Sequence, residues 1–171
     1  MTPLDFSQLS LKDALDLAIL VEDESRERYE EFTRLLTRDR TLDTAGFFRF
    51  MADTEGRHGD ELRKRRRKLF RDAPREVSPA RLEGAEAPER GAARAGMTPR
   101  EALEVALRAE QRAQGFFRSA LAHIHNGRVR ALFQELRDEE VHHEELVRGE
   151  LMRLPLERAA GQGSLVGEPG P

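Results

Sequence analysis

Four times in this chain a Glu stands in the middle of an otherwise apolar helical stripe, and the four stripes are related in pairs. Residues 10–33, SLKDALDLAILVEDESRERYEEFT, recur at an offset of 88 as TPREALEVALRAEQRAQGFFRSAL. Both copies open on a helix-start signal. Ser10 is followed three residues on by Asp13, and Thr98 by Glu101 with Pro99 at the first helical position.

Taking every third or fourth residue inward, the first copy reads Leu11, Leu15, Ala18, Glu22, Ser25, Tyr29, Phe32, Leu36, and the second Leu103, Ala106, Glu110, Ala113, Phe117, Ala120, Ile124. Spacings that alternate between three and four describe the seam of helices packed at shallow angles in a bundle. A second pair recurs at an offset of 85: Phe48, Met51, Glu55, His58, Leu62 against Phe133, Leu136, Glu140, His143, Val147. Here each seam carries a Glu and a His three residues apart, a spacing that puts both on one helix face.

Four helices are therefore expected, at about 10–37, 41–70, 98–125 and 128–156. Residues 71–97 contain Pro and Gly and read as a long connection, while Asn126 and Gly127 read as the C-cap of the third helix. Short links within each half and a long link between halves give an all-α, antiparallel four-helix bundle. The bundle is expected to occupy residues 1–158 as one domain, with 159–171 as a disordered Gly- and Pro-rich tail. Charged residues make up 36% of the chain and hydrophobic ones 38%, the balance of helices that bury one stripe and solvate the rest.

Burying one unpaired carboxylate costs several kcal/mol, and no seam offers a Lys or Arg beside its Glu. Two divalent cations balance four carboxylates, and two neutral imidazoles complete the coordination. The chain has no Cys, so disulfides, thiolate catalysis and Cys-ligated zinc or iron–sulfur clusters are excluded. The candidate metal ligands are Glu22, Glu55, His58, Glu110, Glu140 and His143. The sequence EEVHH offers a second Glu/His pair, Glu139 with His142. One residue turns a helix by about 100°, so both registers cannot face one axis. The Glu140/His143 register is preferred because its seam continues through Val129, Phe133, Leu136, Val147, Leu151 and Leu154.

The phrases EDESRERYEEF, FFRFMADTEGRHGDEL, EQRAQGFF and LFQELRDEEVHHEEL resemble a rubrerythrin-type member of the ferritin-like superfamily. The resemblance spans roughly residues 10–156. It implies two iron ions per chain, with manganese as the alternative metal. It further implies Glu22 and Glu110 as terminal or semi-bridging ligands, Glu55 and Glu140 as bridging carboxylates, and His58 and His143 as one imidazole per metal. The implied activity is that of a di-iron oxidoreductase, a ferroxidase or a peroxide-reducing enzyme acting on Fe(II) with O2 or H2O2. A non-catalytic iron-binding or cargo protein and a dimanganese catalase-like protein are the other readings. Two departures matter: there is no Cys-bearing rubredoxin module, and the position of a further ligand Glu on the third helix is Ala113. The first removes a built-in electron donor, and the second removes the carboxylate linked to peroxidase-type iron movement.

Other features are plainer. Tyr29 reads as core packing, with an oxidisable residue near the metals as the other reading. His123 and His125 lie about 20 Å beyond Glu110 along a helix and read as helix-end residues. The run RKRRRK at 63–68 closes the second helix, where cations suit the helix dipole, and net charge is −3, so nucleic acid is not indicated as a partner. No apolar run approaches a membrane span and the N-terminus lacks a signal-peptide pattern, so a cytoplasmic protein is expected. A seam this polar at its middle leads us to expect a homodimer or larger homo-oligomer. Finally, Gly163, Ser164 and Leu165 resemble the short Gly-Ser-Leu peptides that load ferritin-like cargo into encapsulin shells.

Overall fold

The computed structural model describes residues 5–38, 41–77 and 92–155. They form α1 (Leu11–Arg38), α2 (Leu42–Phe70), α3 (Pro99–Leu121) and α4 (Gly127–Arg153), preceded by a 3-10 turn at Phe6–Gln8, with no strand among the described residues. α1 lies along α2 and α3 along α4, and the two hairpins meet where α4 approaches α1 and α2. This is the all-α, ferritin-like four-helix bundle expected from the repeat. The proposed tail, with its Gly-Ser-Leu segment, and residues 78–91 of the long connection lie outside the described residues.

The helix starts follow from the side chains that cap them. Ser10 Oγ accepts from the Asp13 amide at 3.1 Å, and Thr98 Oγ1 accepts from the Glu101 amide at 3.2 Å while the Glu101 carboxylate accepts from the Thr98 amide at 2.8 Å. One expectation is corrected. Asn126 does not close α3; it opens α4, its Oδ1 accepting from the amides of Arg128 and Val129 at 3.0 and 3.3 Å. α3 accordingly stops at Leu121, four residues short of the expected end. Asn serves either end of a helix, and only the direction of its side chain distinguishes the two roles.

The helix seams bury two apolar clusters, one at each end of the bundle. The first gathers Leu15, Leu17, Ile19, Phe117, Phe133 and Leu136, and the second gathers Tyr29, Phe32, Phe48, Met51, Leu103 and Val147. Each seam passes from one cluster to the other through its Glu. The four Glu therefore share one polar layer between two dry ends. Tyr29 stacks on Phe48 with ring centroids 5.8 Å apart, which is a packing role.

Three residues of the basic run at 63–68 pair with carboxylates. Arg63 pairs with Asp23 and Asp60, Arg65 with Glu135 at 2.8 Å, and Arg66 with the fully buried Asp16. Arg66 Nη2 also donates to Asp16 Oδ2 at 3.1 Å and to the Ala73 carbonyl at 2.7 Å, which ties the chain leaving α2 back onto α1. Replacing Asp16 with Ala leaves a buried guanidinium without counter-charge. The expected loss is about 3 kcal/mol, at the low end for a broken buried pair because backbone carbonyls still accept from Arg66. Urea unfolding of the variant measures it.

Candidate metal centre

The polar layer brings together all six residues singled out in the sequence. Glu22 on α1, Glu55 on α2, Glu110 on α3, and Glu140 and His143 on α4 are buried, and His58 on α2 is half-buried. Small neighbours make room for them, since Ala18 flanks Glu22, and Ala106 and Ala113 flank Glu110, all three alanines being buried. The two imidazoles lie parallel, with ring centroids 5.5 Å apart and planes 8° from parallel.

Glu55 sits between the imidazoles. Its Oε1 is 3.3 Å from His143 Nδ1 and its Oε2 is 3.8 Å from His58 Nδ1. On one side, Glu22 Oε2 stands 3.9 Å from His58 Nδ1; on the other, Glu110 Oε2 and Glu140 Oε2 stand 3.9 and 3.7 Å from His143 Nδ1. Donor atoms converge within 4.8 Å in three groups: Glu55, His58 and His143; Glu22, His58 and Glu139; Glu110, Glu140 and His143. His58 and His143 each belong to two of these groups, and the third group links them through Glu55. The geometry is that of two adjoining pockets joined by a shared carboxylate.

The fit to cations rests on atoms that are left without partners. Glu22 Oε2, His58 Nδ1 and His143 Nδ1 are buried and accept or donate no hydrogen bond. Buried polar atoms are ordinarily satisfied. Among the described residues no Lys or Arg lies within ion-pair distance of Glu22, Glu55, Glu110 or Glu140. Carboxylate oxygens with imidazole nitrogens form a donor set suited to iron, manganese or zinc, so the cluster is able to hold a pair of metal ions.

Electrostatics point the same way. Burial pushes the Glu22 carboxyl up to about 8, with the charges of Glu140 and Glu139 adding to the effect. Burial likewise holds Glu55 and Glu110 well above the usual carboxylate range, reinforced by Glu22 and Glu140 for the former and by Glu140 for the latter. Burial, with the charge of His143, lowers the pKa of His58, which keeps its nitrogen free to bind a metal. A carboxyl whose folded pKa exceeds its unfolded one favours the fold at low pH, and that advantage is lost as pH rises through the folded value. Metal-free protein is therefore expected to lose stability between about pH 4.5 and 8, the span over which Glu22 would ionise in the unfolded but not the folded chain. Metal binding has to displace those protons, so affinity should rise over the same range. Urea midpoints at pH 5.5 and 8, with chelator and with metal, check both statements.

On helix α4 the preferred register points inward, with Glu140 and His143 buried and His142 exposed. The reasoning that only one register reaches the axis was nevertheless too strict. Glu139, from the other register, brings its Oε2 to 3.9 Å from His58 Nδ1. A Glu side chain is long enough to reach around a helix to a neighbour that one turn of 100° leaves off-axis. The second Glu/His pair in EEVHH was the signal, and reading its Glu separately from its His would have found Glu139. His123 and His125 are exposed at the far end of α3, away from this cluster.

A cleft of about 620 Å³ between α2 and α4, lined by Phe50, Thr54, Arg57, His58, Glu139 and His143 among others, leads from the surface to the two imidazoles. No helix among the described residues is long and apolar enough to cross a membrane.

Comparison with known proteins gives a consistent result. A structure of a protein from Magnetospirillum magnetotacticum, described as an uncharacterized conserved protein, is 31% identical, covers 86% of this chain and 97% of its own, and superposes with a TM-score of 0.71. A hypothetical protein from Pyrococcus furiosus, 23% identical over 87% of this chain and 94% of its own, shares the fold with a TM-score of 0.58. No curated protein matches the chain. The rubrerythrin family model matches residues 13–151, which include all four helices' Glu positions and both His. The chain belongs to the rubrerythrin family.

Proposed function

We propose that this protein is a di-iron carboxylate oxidoreductase that oxidises Fe(II) with O2 or H2O2. The observation that carries the reading is Glu55, a buried carboxylate with one oxygen toward each of two imidazole nitrogens that have no hydrogen-bond partner. In this reading Glu22, Glu55, His58, Glu110, Glu140 and His143 would hold the ions. Iron bound there would supply one electron per ion, and two electrons with two protons convert O2 to H2O2 or H2O2 to two waters.

The chain's own residues do the rest. The apolar clusters above and below the layer exclude water from the ends. The cleft between α2 and α4 leaves the imidazole side open to small molecules. Glu22 gives up its proton as the site fills, and the raised pKa that makes this possible near neutrality follows from burial. With Ala113 where a further carboxylate stands in rubrerythrins proper, oxidation of Fe(II) by O2 is favoured over rapid peroxide reduction.

The test is to strip the protein of metal, add two equivalents of Fe(II) and follow Fe(III) formation with O2 or with H2O2. Oxidation well above the protein-free rate supports the reading. Tight Fe(II) uptake without accelerated oxidation would make this a storage or cargo protein instead. Manganese retained through purification, with peroxide disproportionation, would favour the dimanganese alternative.

A further inference from the structure

The internal repeat relates the two halves of the metal layer, and one break in the match lies beside the imidazoles. Exchange of α1 with α3 and of α2 with α4 carries Glu22, His58 and Glu55 onto Glu110, His143 and Glu140. The same exchange carries Glu139 onto Thr54, 85 residues earlier. Thr54 is neutral and already engaged: its hydroxyl donates to the Phe50 carbonyl at 2.9 Å and accepts from Arg57 at 3.0 Å. Glu139 is an acid and makes no such hydrogen bond among the described residues. Its Oε2 lies 3.9 Å from His58 Nδ1.

The surroundings of Glu139 call for a cation. Its carboxylate shares a donor group with Glu22 and His58. Glu22 Oε2, 2% exposed as a residue, is aimed at the same imidazole nitrogen from α1 and is itself without a partner. The neighbouring acids Glu140, Glu135 and Glu61 add like charge, and the nearby Arg65 is taken by Glu135 at 2.8 Å. At 39% side-chain exposure, Glu139 stands at the mouth of the α2–α4 cleft, beside the metal layer and not in it.

We propose that Glu139 is a fifth carboxylate ligand, serving the ion held by Glu22 and His58, and that the two metal positions are for this reason unequal. The inference rests on the di-metal reading above and adds to it a ligand from α4. The position served by Glu110 and His143 has only Thr54 at the equivalent place. A charged oxygen at one position and a neutral, occupied hydroxyl at the other gives the first ion the stronger site.

The experiment uses the full chain stripped of metal and titrated anaerobically with Co(II), followed by calorimetry and by visible absorption. Wild type is expected to bind two ions in two steps of unequal affinity. Glu139→Gln should weaken the tighter step at least about ten-fold, change the Co(II) absorption of that step, and leave the other step and the metal-free melting temperature as they were. Glu135→Gln, which removes a charge on the same cleft without touching the donor group, should change neither step. If Glu139→Gln keeps both wild-type affinities, or weakens both steps equally, Glu139 is a surface charge and the proposal fails. If wild type itself binds fewer than two ions, the di-metal reading fails and takes this inference with it, an outcome visible before any variant is made.

Discussion

Replacing Glu55 with Gln is expected to empty both metal positions at once, taking bound metal from about two ions per chain to near none and removing any accelerated Fe(II) oxidation. The reason is positional. Glu55 is the one carboxylate with an oxygen toward each imidazole, 3.3 Å from His143 Nδ1 and 3.8 Å from His58 Nδ1. A terminal ligand such as Glu110 faces His143 alone, so Glu110→Gln should damage one position more than the other. Gln keeps the shape of Glu but carries no charge, and it relieves a carboxyl that burial already disfavours. The metal-free variant should consequently melt at or above the temperature of metal-free wild type. That combination, higher intrinsic stability with lost metal, separates a ligand from a structural residue. Elemental analysis and thermal melts in chelator give both numbers. A variant that still holds two ions would remove Glu55 from the bridging role.

Metal removal should have the second large effect. A ligand that binds only the folded chain stabilises it by about 4 kcal/mol at a thousand times its dissociation constant. Two ions bring about 8 kcal/mol, and a domain of this size moves by roughly 2–4 °C for each kcal/mol. The melting temperature should fall by roughly 15–30 °C when chelator replaces saturating Fe(II) or Co(II). The loss has a clear origin: without cations the layer between the two apolar clusters contains four buried acids and two orphaned imidazole nitrogens. The shift should also be larger at pH 8 than at pH 5.5. At the higher pH the carboxyls held up by burial are under pressure to ionise in the metal-free state, and the ions relieve it. A shift of only a degree or two would mean that the layer is stable as protonated acids and was not built around metal.

Most of the bundle was legible because helices announce themselves locally. Alternation of three and four between apolar residues, with Ser10 and Thr98 as caps, placed the starts of α1 and α3 to within a residue. The 88- and 85-residue offsets pair the seams within the sequence itself. The end of α3 was misplaced because Asn126 is compatible with stopping one helix or starting the next, and only its bonds to Arg128 and Val129 decide. The basic run at 63–68 looked uniform in sequence. Its cross-helix partners, Asp23, Glu135 and Asp16, could not be read from the run itself.

The sequence by itself determined that four Glu and two His occupy core positions of four helices, because periodicity is a property of one helix and needs no neighbour. Tertiary structure alone decided how those residues face one another. The height at which α2 lies against α4 puts Glu55 between two imidazoles. The small gap between those helices opens the cleft, and the reach of a long side chain around α4 brings Glu139 to His58 while its sequence counterpart, Thr54, bonds to its own helix. Such facts depend on distances between residues 81 to 88 positions apart in the chain, as for His58 with Glu139 and Glu55 with His143. Helical periodicity fixes the direction of a side chain around its own axis, and says nothing of where the next axis stands.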